Sequence, residues 1–424
     1  MVIISLFILL VIGIPIAYIF GITSVVYFIQ NGPQFLRLMP QRFHSGTDSF
    51  VLLAIPFFIF AGELMNATGI TSRLIRLAKV LVGRVHGYLA YANVVASILF
   101  AGITGAAVSD VAALGSIFIP AMKKQGYSGP YSAAITAVSS IIGPTIPPST
   151  PILVYGALTG TSIAAMFAAA VVPGLLLGFS QMMIIKIQAK KKGFPQKDDE
   201  KFSAKEVVYS LWEGIPAVIM PVIILFGILS GVFTPTEAAV VAGAYALLFG
   251  LGTGSLPLSE ISGSLKKAVR SSALILLIIG CANIFGWIIA KEQLARIAAS
   301  YITKLTENPS LILLLVIAFL LFVGTWMETL VAITLLSPFL SLLATQVGLD
   351  PVHFGIIVVI TLNIGMVTPP VGVCLYVAGS VSGETFESIT KEAFPYVCGM
   401  VIVLLIVAFF PCLALWLPSV LNLL

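Results

Sequence analysis

The sequence predicts an all-α integral membrane fold. Of its 424 residues, 59% are hydrophobic and 9% are charged, and the mean hydropathy is +1.10. A soluble globular chain carries about 25% charged residues. Apolar runs of about 18 residues or more recur from end to end, which is the length a helix needs to cross a hydrocarbon core ~30 Å thick. The ~10-residue alternating segments of a transmembrane β-barrel are absent from the sequence.

A single polar linker divides the chain into two halves. Residues 190–205 read KKKGFPQKDDEKFSAK. We therefore predict a first repeat at 1–189, a connector at 190–205 and a second repeat at 206–424. The membrane segments expected besides the hairpins and broken helices are 2–19, 21–31, 48–68, 162–186, 211–230, 235–251, 271–290 and 395–420.

The two halves resemble each other. IGPTIPP at 142–148 corresponds to IGMVTPP at 364–370, with the glycines 222 residues apart. Asp110 and Glu328 each stand ten residues before a proline and are 218 residues apart. Two matched landmarks in the same order indicate an internal repeat.

The repeat is predicted to be inverted. If each half contains one re-entrant hairpin, it makes five crossings, and an odd number turns the second half over. With the connector in the cytoplasm, 17 of the 22 Lys and Arg residues fall on the cytoplasmic side, as the positive-inside rule requires. Both termini are then expected in the periplasm. The net charge of +5 thus reflects topology and does not indicate a nucleic-acid partner.

Two re-entrant helical hairpins are predicted, at 87–122 and 309–346. Their first apolar stretches, 88–100 and 311–322, are too short to span. Small and hydroxyl residues follow each stretch, in GITGAAVSD and GTWMET. Such a turn within the membrane is tolerated only where it is buried in protein or lines a wet cavity.

Two broken helices are predicted, at 131–158 and 352–380. Proline removes a backbone donor and disfavours helix in the preceding residue, so neither segment can be one continuous helix. Paired interruptions of this kind in an inverted repeat indicate the binding site of a transporter. The prolines concerned are Pro144, Pro147, Pro148 and Pro151 in the first half and Pro369 and Pro370 in the second.

These interruptions suggest which ligands the site would hold. Exposed carbonyl and hydroxyl oxygens suit Na⁺, and helix N-termini at the hairpin tips favour an anion. The tips and the two IGxxxPP segments contain no Lys, Arg or His, so an anion there would depend on backbone dipoles, hydroxyls and bound cations. The hydroxyls available are Ser109, Thr145, Thr325 and Thr368.

Several polar residues admit two interpretations. Asp110 and Glu328 are either proton carriers or cation ligands, or they cap the second helix of each hairpin. Trp326 either contacts substrate or packs at an interface. Asn363 is either a site ligand or part of a helix–helix hydrogen bond. Glu63, in AGELM, is expected to cap a helix or lie at the membrane interface.

Four motifs in order carry a family likeness along the whole chain. They resemble the large membrane subunit of the tripartite, binding-protein-dependent (TRAP) transporters, of the ion-transporter superfamily. The resemblance implies an outer scaffold and a mobile transport domain that moves like an elevator. It also implies Na⁺-driven import of small carboxylates such as sialic acid or C4-dicarboxylates across the bacterial inner membrane, with Na⁺ as coupling ion and no other cofactor. The motifs lie at 102–122, 141–156, 234–247 and 363–372.

The resemblance implies partners and ligands as well. A small four-helix membrane subunit and a periplasmic substrate-binding protein are expected as separate chains, beside the lipid bilayer and a small carboxylate. One Na⁺ site is expected from Thr104, Gly105, Ser109, Gly143, Pro144 and Thr145. The other is expected from Gly324, Thr325, Met327, Gly365, Met366 and Thr368. Substrate contacts are expected from Ser149, Thr145, Trp326, Asn363 and Thr368, with Asp110 and Glu328 near the hairpin tips.

Other functions fit the sequence less well. A stand-alone Na⁺- or H⁺-coupled carboxylate symporter of the same superfamily would share the inverted repeat without partners. A channel fits the paired broken helices less well than alternating access does. An enzyme is not expected, because the three histidines, His44, His86 and His353, lie in or beside loops and no zinc or Ser/His/Asp pattern is present.

Overall fold

The computed structural model describes residues 12–83, 85–194, 204–294 and 308–424, with the single positions 5, 8, 9, 297 and 306. The side chains of residues 102–104, 204–207 and 338 are outside that description. The described elements are helices. In the first half they are α1 (Ile16–Asn31), α2 (Leu38–Thr47), α3 (Ala54–Ala67), α4 (Ile70–Val82), α5 (Tyr88–Thr104), α6 (Ala107–Lys124), α7 (Gly129–Ser140), α8 (Thr150–Thr159) and α9 (Ile163–Lys192). In the second half they are α10 (Ala204–Leu229), α11 (Pro235–Gly252), α12 (Leu258–Lys291), α13 (Pro309–Trp326), α14 (Thr329–Val347), α15 (Pro351–Gly365), α16 (Val373–Ser382), α17 (Phe386–Phe409) and α18 (Cys412–Val420).

The all-α membrane prediction is confirmed. Within the described residues, seven helices are long and apolar enough to cross a bilayer. Their outer faces carry many exposed large hydrophobic side chains, as lipid-facing helices do. The seven are Phe50–Ala67, Ile163–Lys192, Val208–Leu229, Pro235–Gly252, Leu258–Lys291, Pro309–Trp326 and Phe386–Phe409.

Some helix boundaries differ from the predicted ones. The first arm of the second hairpin, predicted at 311–322 and too short to span, runs from Pro309 to Trp326 and is long and apolar enough to cross a bilayer, because the helix continues through both ends of the apolar run. The segment predicted at 395–420 is interrupted at Phe410, because Pro411 disfavours helix in the residue before it. Helix α12 begins at Leu258, well before the predicted 271, because a polar stretch that carries no hydropathy signal continues the helix. The predicted connector 190–205 is described only in part: α9 runs to Lys192, and residues 195–203 lie outside the described chain.

Two helical hairpins and two broken helices lie at the centre of one group of helices. Helices α5 and α6 form the first hairpin, and α13 and α14 form the second. Helices α7 and α8 are the halves of the first broken helix, and α15 and α16 are the halves of the second. Every residue from Tyr131 to Ser140 and from Val352 to Gly365 is buried, so α7 and α15 are surrounded by protein on all sides.

The hairpins and broken helices exchange partners between the halves. Helix α6 packs on α7 of its own half and on α16 of the other half. Helix α14 packs on α15 of its own half and on α8 of the other half. Each hairpin thus contacts both broken helices, and the two tips and the two breaks are gathered in one region.

The structural offset between the halves corrects one sequence match. The residues that precede α6 and α14 are Ala106 and Glu328, which are 222 positions apart, the same spacing as the two IGxxxPP glycines. Glu328 therefore corresponds to Ala106, and Asp110 corresponds to Ala332. The 218-residue match of the two acids was wrong, because each acid has a small apolar residue as its counterpart.

A second group of helices packs beside the first. Helix α3 packs on α11 and α12, helix α12 also packs on α1 and α2, and α10 packs on α11. The amphipathic helix α4 contacts both groups, through α5 on one side and α10 on the other. We call the hairpins and broken helices, α5–α8 and α13–α16, the hairpin group. The set formed by α1–α3 and α10–α12 is the outer group.

Candidate functional site

A cavity of about 650 Å³ lies between the two groups of helices. The hairpin group contributes both tips and the second half of each broken helix, and the outer group contributes α1, α3 and α12. The lining residues from the hairpin group are Ala106, Val108, Ser109, Thr150, Glu328, Leu330, Val331 and Val373. Those from the outer group are Pro15, Ile16, Ala17, Tyr18, Ile59, Gly62, Glu63, Asn66, Ser271, Leu274, Ile275, Leu277 and Ile278.

Four helix N-termini of the hairpin group line this cavity. Ser109 lies in the first turn of α6, and Thr150 is the first residue of α8. Glu328 is the N-cap of α14, and Val373 is the first residue of α16. Each of these N-termini carries a positive partial charge of about half a unit, which favours a bound anion.

The side-chain charges in the cavity are acidic. Among the described lining residues, Glu63 and Glu328 are charged, and none is Lys, Arg or His. Lys267 Nζ stands 3.7 Å from Glu63 Oε2, on an exposed side chain. An anion in the cavity would therefore rest on backbone dipoles and hydroxyls, together with any cation that enters with it.

The first break is packed against a carboxylate. Asp110 is completely buried, and a Cβ placed on Gly143 would come within 2.1 Å of Asp110 Oδ2. The carboxylate therefore occupies the space that a side chain at position 143 would need. Asp110 lies inside α6, whose N-cap is Ala106, so it does not occupy the cap position. A buried carboxylate is costly unless hydrogen bonds or a cation offset the loss of hydration.

The tip of the first hairpin also seats on the first break. Gly105 has φ of +60°, and a Cβ there would meet Thr150 Oγ1 at 3.2 Å and the Pro148 carbonyl oxygen at 3.4 Å. Both the left-handed conformation and the narrow gap favour glycine. The N-terminus of α8 is therefore held directly against the tip.

The second break is packed backbone to backbone. A Cβ on Gly365 would lie 2.5 Å from both Cα and the carbonyl carbon of Gly324, and a Cβ on Gly324 would lie 2.9 Å from the Leu362 carbonyl oxygen. The Gly372 N–H donates to the Thr325 carbonyl at 3.1 Å. The tip of the second hairpin is thus seated by main-chain contact, which requires glycine at positions 324 and 365.

Three predicted hydroxyls share one geometry. Thr145 donates to the Ile141 carbonyl at 2.8 Å, Thr325 to the Phe322 carbonyl at 2.7 Å, and Thr368 to the Ile364 carbonyl at 2.7 Å. Because the single hydroxyl proton is used in this way, the oxygen lone pairs act as acceptors, and one lone pair of Thr145 accepts from Asn363 Nδ2. A hydroxyl oxygen with a free lone pair can coordinate a hard cation, although the same back-donation occurs at Thr136, Thr159, Thr334 and Thr361.

Asn363 connects parts of the two halves. Its Nδ2 donates to Thr145 Oγ1 at 3.1 Å, and its Oδ1 accepts from Thr329 Oγ1 at 2.8 Å. All three side chains are buried. Of its two interpretations, the helix–helix hydrogen bond is the one present in the structure, whereas a contact with substrate stays a prediction.

The remaining predicted residues have different surroundings. Ser149 caps α8 by accepting from the Ile152 N–H, and it donates to the Pro144 carbonyl at 2.5 Å. The Met366 carbonyl accepts from the Cys374 N–H at 3.0 Å. Trp326 is 54% exposed and packs on Phe322, with ring centroids 6.4 Å apart. Met327 is half-buried against the apolar core, and the side chain of Thr104 lies outside the described residues.

The sequence interpretation missed several residues that line the cavity. Glu63 was expected at a helix end or an interface, but it lines the cavity with Asn66, one turn along α3. Thr150 and Ser271 were not predicted at all. The available signal was the rule that polar residues within apolar spans face the protein interior or a wet cavity. It could have selected Asn66 and Ser271.

Comparison with known proteins identifies the family. The family model described as "Tripartite ATP-independent periplasmic transporter, DctM component" matches residues 3–413. The sialic acid TRAP transporter large permease SiaM of Vibrio cholerae is 40% identical over 412 residues, covering 97% of this chain and 96% of that protein. The C4-dicarboxylate large permease DctM of Pseudomonas aeruginosa is 36% identical, covering 94% and 93%.

A longer relative and one solved structure are also similar to this chain. The isethionate TRAP permease DctMQ of Oleidesulfovibrio alaskensis is 38% identical over 96% of this chain, which spans only 64% of that longer protein. Among solved structures, the YdaH transporter of Alcanivorax borkumensis superposes with a TM-score of 0.65 at 14% identity, covering 92% of this chain and 89% of that chain. At that identity the likeness concerns the fold alone.

The family model and the two large permeases each match nearly the whole chain, and the fold places two hairpins on two broken helices. This chain therefore belongs to the DctM family and is a multi-pass large permease subunit of the tripartite ATP-independent periplasmic transporters.

Proposed function

We propose that this chain imports small organic acids by Na⁺-coupled, binding-protein-dependent transport, with the hairpin group moving as an elevator against the outer group. The observation that carries the proposal is the cavity that four helix N-termini line at the boundary of the two groups. The names of the relatives support the substrate class, since they specify sialic acid, C4-dicarboxylates and isethionate, all of them organic anions.

The position of the cavity supports the elevator motion. One wall belongs to the hairpins and broken helices, and the opposite wall belongs to α1, α3 and α12. If the hairpin group slides past the outer group, a bound anion keeps its contacts with the N-termini while it leaves the outer wall. Substrate binding at the interface of such repeats is the usual arrangement in secondary transporters.

The two breaks are the proposed Na⁺ sites. At the first, the buried carboxylate of Asp110 lies beside Gly143, and Thr145 presents hydroxyl lone pairs nearby in the chain. At the second, Thr325 and Thr368 present hydroxyl lone pairs beside the Gly324–Gly365 contact. Oxygen ligands of this kind suit a hard cation, and bound Na⁺ would offset the acidic charge that an anionic substrate meets.

The proposed assembly and orientation follow the family. We propose a small membrane subunit and a periplasmic substrate-binding protein as separate partner chains, with both termini of this chain in the periplasm and the connector between the halves in the cytoplasm of a bacterium. The strong bias of Lys and Arg to the connector side supports this orientation.

Reconstitution tests the proposal. The chain is placed in proteoliposomes with its small membrane subunit, and the cognate binding protein loaded with substrate is added outside under an inward Na⁺ gradient. Uptake that requires both Na⁺ and the binding protein is the expected result. Uptake without the binding protein would instead indicate a stand-alone symporter. Uptake driven equally well by a pH gradient, with no Na⁺, would replace Na⁺ with protons as the coupling ion.

A further inference from the structure

We propose that Asn363 is a positioning residue that couples the second hairpin to the first break, so that the two proposed ion sites, one in each half, respond to each other. The inference rests on the proposed function for its link to ion binding. Its mechanical part, the transmission of a change from one half to the other, stands on the hydrogen-bond geometry alone.

The hydrogen bonds form an unbroken line between the halves. Thr329 Oγ1 donates to Asn363 Oδ1 at 2.8 Å, and Asn363 Nδ2 donates to Thr145 Oγ1 at 3.1 Å. Thr145 then donates to the Ile141 carbonyl at 2.8 Å, where α7 ends. Asn363 is 218 positions from Thr145 and lies on the broken helix of the other half.

Each end of this line lies at a functional element. Thr329 is the first residue of α14 and follows Glu328, which lines the cavity. Thr145 lies within the unwound segment of the first broken helix, four residues after Ile141. A movement of the second hairpin tip is thus transmitted to the segment that contains the first proposed ion site.

Burial of the three side chains couples the second hairpin tightly to the first break. Asn363 and Thr145 are 0% exposed and Thr329 is 2% exposed, so water cannot replace a lost partner. A buried polar group without its partner is costly, and hydrogen bonds strengthen in surroundings of low dielectric constant. The second hairpin and the first break therefore change position together, because moving either one alone leaves the Asn363 amide unsatisfied.

A second buried asparagine offers a matched control. Asn93 on α5 donates to Thr136 Oγ1 at 2.7 Å and accepts from Ser139 Oγ at 3.3 Å. It is also 0% exposed and also joins two helices. However, both its partners belong to the first broken helix, so it links the first hairpin to its own half and makes no connection to the second hairpin.

The test compares Thr329→Val, Asn363→Leu and Asn93→Leu by hydrogen exchange of the 141–149 segment in the purified full-length protein. Thr329 lies on the second hairpin, whereas the 141–149 segment belongs to the first half. We expect Thr329→Val to raise the rate of amide hydrogen exchange in that segment about five- to tenfold, which is the effect of one lost buried hydrogen bond. In the Asn363→Leu background the same substitution should change exchange less than twofold. Thr145→Val with Thr329→Val provides a second pair if the leucine variant does not fold.

A transport measurement with Na⁺ as the probe completes the test. In the proteoliposome assay, Thr329→Val and Asn363→Leu should lower the Hill coefficient for Na⁺ toward 1, whereas Asn93→Leu should leave it unchanged. Equal effects of Asn363→Leu and Asn93→Leu on exchange and on the Hill coefficient would overturn the inference. Uptake by the unaltered protein that is independent of Na⁺ would overturn the proposed coupling ion, and the exchange measurement would still decide the inference.

Discussion

At the first hairpin a buried carboxylate lies against the helix break, whereas at the second hairpin two glycine backbones touch. Asp110 fills the space beside Gly143. Gly324 and Gly365 approach so closely that neither could carry a side chain in place. The repeat has thus kept its backbone plan, with arms and breaks 222 residues apart, while the chemistry at each contact differs.

The acids of the two halves also differ in their surroundings. Asp110 is completely buried beneath the first break, whereas Glu328 opens onto the cavity at the N-terminus of α14. The structural counterparts of both are alanines. If Asp110 serves an ion site and Glu328 contacts the substrate, substitutions of the two acids should change different properties of uptake.

The largest effect is expected from Gly365→Ala. The new Cβ would lie 2.5 Å from the Gly324 backbone, and neither backbone can yield without unseating the hairpin tip. Overpacking of this kind costs about 1–3 kcal/mol, so we expect uptake to fall about tenfold or more.

Gly243→Ala is the matched control for this substitution, because Gly243 is a buried helical glycine whose added Cβ would meet nothing within 4 Å. Proteoliposome uptake and elution as a single species in detergent are measured for both variants. Full activity of Gly365→Ala would show that the glycine contact is dispensable.

The next effect is expected from Asp110→Asn, which keeps the shape and removes the charge. If the carboxylate contributes to an ion site, the Na⁺ concentration for half-maximal uptake should rise about tenfold, since an ion pair in a protein is worth several kcal/mol before desolvation is subtracted. Maximal uptake should recover at high Na⁺. An unchanged Na⁺ requirement with an altered pH profile of uptake would make Asp110 a proton carrier instead.

A smaller and different effect is expected from Glu328→Gln. Its carboxylate faces the cavity, where it can accept hydrogen bonds from hydroxyl or ammonium groups of a substrate. Loss of a charge-assisted bond should raise the apparent KM for substrate about three- to tenfold and leave the Na⁺ requirement unchanged. A shift in Na⁺ requirement as large as that of Asp110→Asn would remove the distinction between the two acids.

The smallest effect is expected at the base of the first hairpin. Lys123 Nζ bonds Glu384 Oε1 at 2.7 Å and the Ser382 carbonyl at 2.9 Å, which joins the end of α6 to the turn after α16. The corresponding residue of the second hairpin is Thr345, whose hydroxyl donates to the Ser341 carbonyl of its own helix at 3.0 Å.

Because the Lys123–Glu384 pair is partly exposed, Lys123→Met should lower the free energy of unfolding by about 0.5–1 kcal/mol. The variant should therefore lower the unfolding midpoint by about 1 °C or less at low salt, leave uptake unchanged, and approach the unaltered protein at 1 M salt. Glu384→Gln should have the same effect, and the double variant should add little. A loss of uptake in either single variant would show that the base moves during transport.

The sequence predicted the elements of the site better than their contacts. Proline chemistry located both breaks, and the turns of small and hydroxyl residues located both hairpins, because each depends on neighbouring residues. The prediction that both first arms are too short to span was wrong for the second hairpin, whose first helix, Pro309–Trp326, is long enough to cross. The match of Asp110 with Glu328 was wrong, because an offset between two residues does not show which turn of a helix each one occupies. The hydroxyl of Ser149 bonds the Pro144 carbonyl within the break, and its contact with substrate stays a prediction.

The sequence by itself determined the membrane class, the two interrupted helices and the family, since hydropathy, proline and ordered motifs are local properties that no packing arrangement can alter. Only the tertiary structure decided that Asn363 joins Thr145 to Thr329, that Asp110 lies beneath Gly143, and that Glu63 and Asn66 of α3 share a cavity with Glu328. These contacts join residues far apart in the chain. They depend on how the helices of the two halves pack against each other, which local propensity does not encode.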